Sequence, residues 1–182
     1  MTGDMAAALS WGYGIWLAVM ALCTIVVIYT DISWYWIPDG IVCVAALANG
    51  AAVAGGLVAP CSAVSIGFAL SFALLYFLYP QGIGSGDVKL AAALCLGCSG
   101  STAYIMTTAA FLSALIGAAA WRLYARKNCI PFGPFLWIGW WIAFAAGEEL
   151  MAWMPAARKR LSVDGIPCTA RIAGVIFYIG DA

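Results

Sequence analysis

The sequence contains no histidine and little charge, with 8 basic and 8 acidic side chains among 182 residues. Without histidine, a Ser-His-Asp triad and the common zinc sites that mix histidine with cysteine each lack a component. Charged residues make up 9% of the chain, whereas a soluble domain has about 25%. A net charge of zero and the lack of a basic stripe argue against nucleic acid as a partner. Most of the chain is therefore expected to lie in a lipid bilayer.

Metal and disulfide frameworks are also disfavoured. Seven cysteines are present, and only Cys95 and Cys98 form a Cys-x-x-Cys pair. A structural zinc site normally needs a second pair or histidines, and an odd number of cysteines argues against a disulfide framework. We expect the cysteines to be small apolar residues buried in helices, and we predict neither a metal nor a cofactor.

Long uncharged runs are what the sequence has in abundance. It is 65% hydrophobic with a mean hydropathy of +1.00, and no charge interrupts residues 5–30, 40–86, 90–121 and 128–147. A helix needs about 20 apolar residues to cross a bilayer, and glycine and proline divide the second and third runs. The predicted helices are 11–30, 41–57, 62–79, 88–96, 101–124 and a sixth that begins near 131.

The predicted fold class is all-α: a polytopic membrane protein with a bundle of about six transmembrane helices. Lipid excludes an open sheet, since backbone polar groups must be satisfied within each segment. Residues 1–154 would form this domain, and 155–182 would be a polar C-terminal tail. The first ten residues contain Asp4 and no basic residue, unlike a cleaved signal peptide, so the first helix is expected to be retained.

Two acids are placed where charge is costly. Asp31 is predicted to follow the first helix, and Asp87 to lie between the third and fourth. A charge in the bilayer core costs at least ~2.5 kcal/mol, so it usually marks function. An even number of crossings separates the two acids, which places both on the same side of the membrane. Asp31 and Asp87 are therefore candidate partners in one site.

A pair of carboxyl groups can perform acid and base chemistry without a metal. Two carboxylates in one desolvated site cannot both ionise comfortably, so one holds a proton while the other stays charged. The charged group can activate water, and the protonated group can protonate a carbonyl or an amine. The alternative is a small transporter or channel whose acids relay protons or ions. The positions of the acids at helix ends, and the lack of an inverted repeat, count against that alternative.

Glycines precede the second acid at positions 82, 84 and 86. They add no side-chain bulk, so they would let a substrate backbone approach Asp87. They do not form a phosphate loop, because no strand precedes them and no Gly-Lys-Ser/Thr follows. Asp39 is expected to cap the second helix. Lys89 does not share a helical face with Asp87, and it either tunes the field at the site or anchors the helix end near headgroups.

Three motifs occur in order along the chain: Asp31 followed by Ile37-Pro38-Asp39, then Gly84-Ser85-Gly86-Asp87-Val88-Lys89, then Ile130-Pro131-Phe132-Gly133-Pro134-Phe135. Together they resemble the signatures of the type IV prepilin peptidases, a family of membrane aspartic proteases, over residues 12–150. The resemblance implies that Asp31 and Asp87 are the catalytic dyad. It also implies that the motif residues Pro38, Gly84, Gly86, Lys89, Pro131, Gly133 and Pro134 support the substrate site.

The resemblance further implies a substrate and a location. The substrate would be a prepilin or pseudopilin in the bilayer, cleaved just before its hydrophobic helix at the cytoplasmic face of the cell membrane. The basic residues Arg122, Arg126 and Lys127 would lie on the same side as the acids, as the positive-inside rule expects. The basic residues of the tail would lie on the opposite side, so charge alone leaves the orientation nearly balanced.

One departure from the family bears on activity. Longer members carry an additional N-terminal cytosolic region with paired cysteines and also N-methylate the trimmed pilin. This chain begins almost directly with the first predicted helix and has no nucleotide-binding glycine fingerprint on a strand. We expect a short form with peptidase activity only. The presenilin-like proteases share the Gly-x-Gly-Asp motif, but the absence of a late Pro-Ala-Leu motif disfavours that branch.

Overall fold

The computed structural model describes residues 3–79, 83–124 and 130–152. These residues form six helices and no strand, which confirms the all-α fold class. The helices are α1 (Gly3–Trp34), α2 (Asp39–Ala54), α3 (Ala63–Leu78), α4 (Ser85–Cys95), α5 (Gly100–Tyr124) and α6 (Gly133–Ala152). The predicted tail over 155–182 and the basic residues Arg126 and Lys127 lie outside the described residues.

Among the described helices, two are long and apolar enough to cross a membrane. They are Trp11–Trp34 within α1 and Gly100–Ala120 within α5, with mean hydropathies of 2.2 and 1.7. Helices α2, α3 and the apolar part of α6 are shorter. Helix α4 has 11 residues and is about 16 Å long, against about 30 Å for the hydrocarbon core. Six crossings therefore remain a prediction.

The helix ends around the two acids differ from the prediction. Asp31 lies inside α1, which continues to Trp34, and Asp87 lies in the first turn of α4. Helix α1 contains neither glycine nor proline beyond Gly14, so nothing in the backbone stops it at Asp31. It ends at Trp34; the next residue, Tyr35, has a left-handed φ of 53°, and its N–H donates to the carbonyl of Asp31 at 2.9 Å. The acid at the start of α4 interacts favourably with the helix dipole.

Helices α5 and α6 make the most extensive contact of the bundle, and glycines permit it. A methyl group added at Gly139 would meet the α5 backbone, 2.8 Å from the nitrogen of Ala110. Gly117 of α5 lies against the ring of Phe135. Because Gly139 faces the middle of α5 while Phe135 faces its later part, the two helices run antiparallel. The start of α6 therefore lies near the end of α5.

A buried polar network joins three helices. Asn49 of α2 is fully buried, its Oδ1 accepts a hydrogen bond from Trp16 Nε1 at 3.1 Å, and its Nδ2 donates to the carbonyl of Ala93 at 2.9 Å. The network holds α1, α2 and α4 together, although the sequence analysis assigned Asn49 no role. An amide in an otherwise apolar helix was the available signal, since buried polar groups need partners.

The expectation that cysteines are buried holds for part of the set. Cys23, Cys95 and Cys98 are buried, and the Cys98 thiol donates to the carbonyl of Leu94 at 3.2 Å. Cys43, in contrast, is exposed, because it lies on the outer face of α2. The Cys-x-x-Cys pair thus packs in the core.

Candidate active site

Asp31 is buried and tied to the start of α6. Its side chain is 5% exposed, and its Oδ2 accepts a hydrogen bond from the N–H of Gly133 at 2.9 Å. Gly133 is the first residue of α6, the following Pro134 has no N–H, and the next two N–H groups donate to the carbonyl of Phe132. The carboxylate of Asp31 therefore caps a helix that begins 102 residues later, and this contact favours its ionised form.

Asp87 is held differently. It lies in the first turn of α4, outside both candidate membrane spans, and within the described residues its enclosed Oδ1 has no hydrogen-bond partner. Burial, and then the negative charge of Asp31, raise the pKa of Asp87 from 3.8 to about 7, against the lowering effect of a backbone hydrogen bond from Gly84. Asp87 therefore senses the charge of Asp31, so the protonation of Asp87 depends on its partner.

Ile37 fills the space between the starts of α4 and α6. It is 5% exposed and precedes Pro38, the N-cap residue of α2. A methyl group added at Gly86 would lie 3.1 Å from Ile37 Cβ, and one added at Gly133 would lie 3.1 Å from Ile37 Cδ1. Ile37 thus packs against the starts of both α4 and α6. From the sequence, Ile37 is predicted only as part of a motif, because nothing local identifies this contact.

The glycines of the motifs pack closely around the acids. A methyl group at Gly84 would lie 3.1 Å from Asp87 Oδ2, and one at Gly133 would lie 2.9 Å from Asp31 Oδ2. Both distances are shorter than ordinary carbon contacts. Gly86 meets Ile37, so the structure gives it a packing contact. Glycine at these positions lets the two carboxyl groups keep their places.

The predicted cap at Asp39 is wrong. The N-cap residue of α2 is Pro38, without a side-chain hydrogen bond, and Asp39 lies in the first turn. Its carboxylate accepts hydrogen bonds from Lys89 Nζ at 2.8 and 3.0 Å. Because Pro38 takes the N-cap position, Asp39 lies inside the helix, and its side chain reaches Lys89 of α4. Attraction to this cation explains why Asp39 does not cap α2. The pair is exposed, with side chains 53% and 68% accessible, so its contribution is about 0.2–1 kcal/mol.

The predicted site residues divide into two groups. Asp31, Asp87, Gly84, Gly86 and Gly133 lie around one point, where α4 and α6 begin and α1 ends; Asp31 and Gly133 are buried there, Asp87 and Gly86 are partly buried, and Gly84 is exposed. The others surround it: Pro38 starts α2, Pro131 and Pro134 flank the start of α6 and are buried, and Lys89 pairs with Asp39. Two carboxyl groups that share a site can activate water and protonate a carbonyl. No group of three or more potential metal ligands occurs among the described residues.

A surface groove lies on another face of α4. It has a volume of about 490 Å³ and is lined by Asp39, Val42, Cys43, Ala46, Lys89, Ala92, Ala93 and Leu96. Its residues from α4 and the C-cap, Lys89, Ala92, Ala93 and Leu96, are spaced i, i+3, i+4 and i+7, which puts them on one face of the helix. Asp87 is two residues before Lys89 and points to the opposite side. The groove is therefore separate from the acid pair.

Comparisons with known proteins agree on one family. Residues 18–121 match the model of the type IV leader peptidase family, and this range includes both acids but ends before α6. A prepilin leader peptidase/N-methyltransferase of Aeromonas hydrophila is 34% identical over 113 residues, covering 54% of this chain and 38% of the relative. The chain therefore matches less than half the length of that relative. No solved structure matches the chain significantly.

Proposed function

Because the chain belongs to the type IV leader peptidase family, we propose that it is an aspartic endopeptidase that removes the leader peptide of prepilin-like proteins. The observation that carries this proposal is the convergence of the buried Asp31 from α1 and the partly buried Asp87 from α4 on one site, where the charge of Asp31 acts on Asp87. Residues 1–154 would act as one peptidase domain.

The dyad would hydrolyse a peptide bond by acid and base catalysis. One carboxylate takes a proton from water while the oxygen of that water attacks the scissile carbonyl carbon. The protonated carboxyl group gives its proton to the carbonyl oxygen, which forms a tetrahedral diol. The diol then collapses as the C–N bond breaks, the amine nitrogen takes a proton from one acid, and the other acid recovers a proton from a hydroxyl. Proton transfer of this kind accelerates reactions by about 10²–10⁴-fold.

The fold supports a site near one membrane face. Helix α1 ends at the site, α2, α4 and α6 begin there, and the antiparallel packing brings the end of α5 to the same side. The apolar helices α1 and α5, together with the family, indicate an inner-membrane protein. We propose that the bundle is multi-pass and that the site faces the cytoplasm. A prepilin or pseudopilin would present its leader there.

Co-expression with candidate prepilins from the same genome tests this function. Wild-type protein is expected to give a mobility shift of the prepilin, and Asp31→Asn and Asp87→Asn are each expected to abolish it while remaining in the membrane. Asp39→Asn is the matched control, because it removes a nearby exposed carboxylate outside the dyad and should leave cleavage intact. Full cleavage by either dyad variant contradicts the proposal.

A further inference from the structure

The two carboxyl groups are held unequally. Asp31 Oδ2 accepts the N–H of Gly133 at 2.9 Å, at the N-terminus of the 20-residue helix α6. Asp87 accepts a backbone hydrogen bond from Gly84, but in the described part of the chain its Oδ1 is enclosed without any donor. A hydrogen bond from a helix N-terminus stabilises a carboxylate, whereas an enclosed oxygen without a donor favours the neutral acid. The shared proton therefore has a preferred position.

The surrounding charges do not reverse this preference. Helix α4 packs against α2, α3 and α6, and α3 contains no charged residue. On α2, Asp39 is paired with Lys89 on the other side of α4, and Glu149 lies near the far end of α6. The start of α4 favours a charged Asp87 through its dipole, but its enclosed Oδ1 gains no hydrogen bond from it. The raised pKa of Asp87, about 7, agrees with the geometry.

We propose, on the basis of the leader peptidase function above, that Asp87 holds the proton of the dyad and that Asp31 is the carboxylate that activates water. Gly133 is the positioning residue that keeps Asp31 charged and the proton on Asp87. Asp31 takes one proton from the attacking water, and Asp87 gives its proton to the carbonyl oxygen. When the C–N bond breaks, Asp31 passes its proton to the amine nitrogen. Asp87 recovers a proton from the diol hydroxyl, so both acids return to their starting states.

Gly133 acts through its N–H and its lack of a side chain. A methyl group there would lie 2.9 Å from Asp31 Oδ2, 3.1 Å from Ile37 Cδ1 and 3.2 Å from Val27 Cγ1. Clearing the first contact to 3.4 Å, the short limit of ordinary contacts, moves the carboxylate by about 0.5 Å. If about 1 Å of misplacement costs about 100-fold in rate, this shift costs about tenfold.

Infrared spectroscopy of the full chain in lipid vesicles tests the proton position. The carbonyl stretch of a protonated carboxyl group should titrate near pH 7 in wild type. The band should be absent in Asp87→Asn and should persist in Asp31→Asn, titrating at lower pH because the neighbouring charge is gone. A band that survives in Asp87→Asn and disappears in Asp31→Asn overturns the assignment. If both variants are inactive in that case, the peptidase proposal stands and only the proton assignment fails.

Kinetics test the positioning role of Gly133. Gly133→Ala is expected to lower kcat about tenfold, with KM changed less than about twofold, and to move the acid limb of the kcat profile to higher pH. Gly147→Ala is the control in the same helix, since its added methyl group meets only Ile105 Cδ1 at 3.7 Å. Adding Ile37→Val relieves the Cδ1 contact alone, so it should not restore kcat. An unmoved acid limb, or full rescue by Ile37→Val, overturns the role of Gly133.

Discussion

Gly86→Ala tests whether the Gly-x-Gly-Asp turn acts by packing. The added methyl group would lie 3.1 Å from Ile37 Cβ, 3.6 Å from Cγ1 and 3.7 Å from Cδ1. Since Ile37 Cβ is fixed to its backbone, rotation of the side chain cannot relieve the first contact. Reaching 3.4 to 3.7 Å requires α4 and the loop before α2 to separate by about 0.3–0.6 Å, and Asp87 moves with α4.

The displacement sets the size of the effect. At about 100-fold per ångström of misplacement, a shift of about 0.3–0.6 Å lowers kcat about 4- to 16-fold. Overpacking should also lower the free energy of unfolding by about 1–3 kcal/mol. The assay is initial-rate cleavage of a prepilin in proteoliposomes, together with thermal unfolding in the same lipid.

Gly67→Ala is the control for this substitution, because a methyl group there has no neighbour within 4 Å. Equal kcat values for Gly86→Ala and Gly67→Ala would refute the packing argument. A loss above about 10³-fold in a folded protein would also refute it. Such a loss would show that Gly86 instead lets the substrate backbone approach, as expected from the sequence.

Three further outcomes follow from the structure. Because the folded state binds the Asp87 proton more tightly than the unfolded chain, the contribution of this group to stability falls as pH rises from about 4 through about 7, and at about pH 8 its ionisation costs up to about 4 kcal/mol. Thermal unfolding should therefore show Asp87→Asn to be more stable than wild type at about pH 8, with a smaller difference at about pH 5. An equal difference at both pH values contradicts this cause. Gly139→Ala places a methyl group against the backbone of α5, so a thermal melt should give a free energy of unfolding about 1–3 kcal/mol below that of Gly147→Ala. Equal unfolding free energies for the two variants contradict that contact. Lys89→Met and Asp39→Asn remove the same exposed ion pair, so both should lower the free energy of unfolding by less than about 1 kcal/mol and leave the alkaline limb of the kcat profile in place. A shift of that limb in Lys89→Met alone would show that Lys89 acts on the dyad.

The composition and the uncharged runs predicted the all-α fold class and the six helices found in the described residues. Glycine and proline marked the breaks between helices, because they disfavour the helix interior by local backbone effects. The end of α1 was predicted too early, because a charged residue does not stop a helix. Local pattern thus located the elements better than their ends.

Contacts between distant parts of the chain were harder to predict. Asp39 pairs with Lys89 rather than capping α2, and Asn49 joins α1 to α4. Ile37 touches two glycines from different helices. None of these partners is close in sequence, so periodicity and spacing carry no signal for them. Crossing parity predicted that Asp31 and Asp87 lie on the same side, and the charge of Asp31 does act on Asp87, but the number of crossings stays a prediction.

Leader cleavage by purified variants in proteoliposomes tests the central claim most directly. Asp31→Asn keeps an oxygen that can accept the Gly133 N–H, so it should fold like wild type. The account predicts that this variant and Asp87→Asn each lose at least about 10²-fold in kcat, while Asp39→Asn stays near wild type. Wild-type rates in either dyad variant would contradict it.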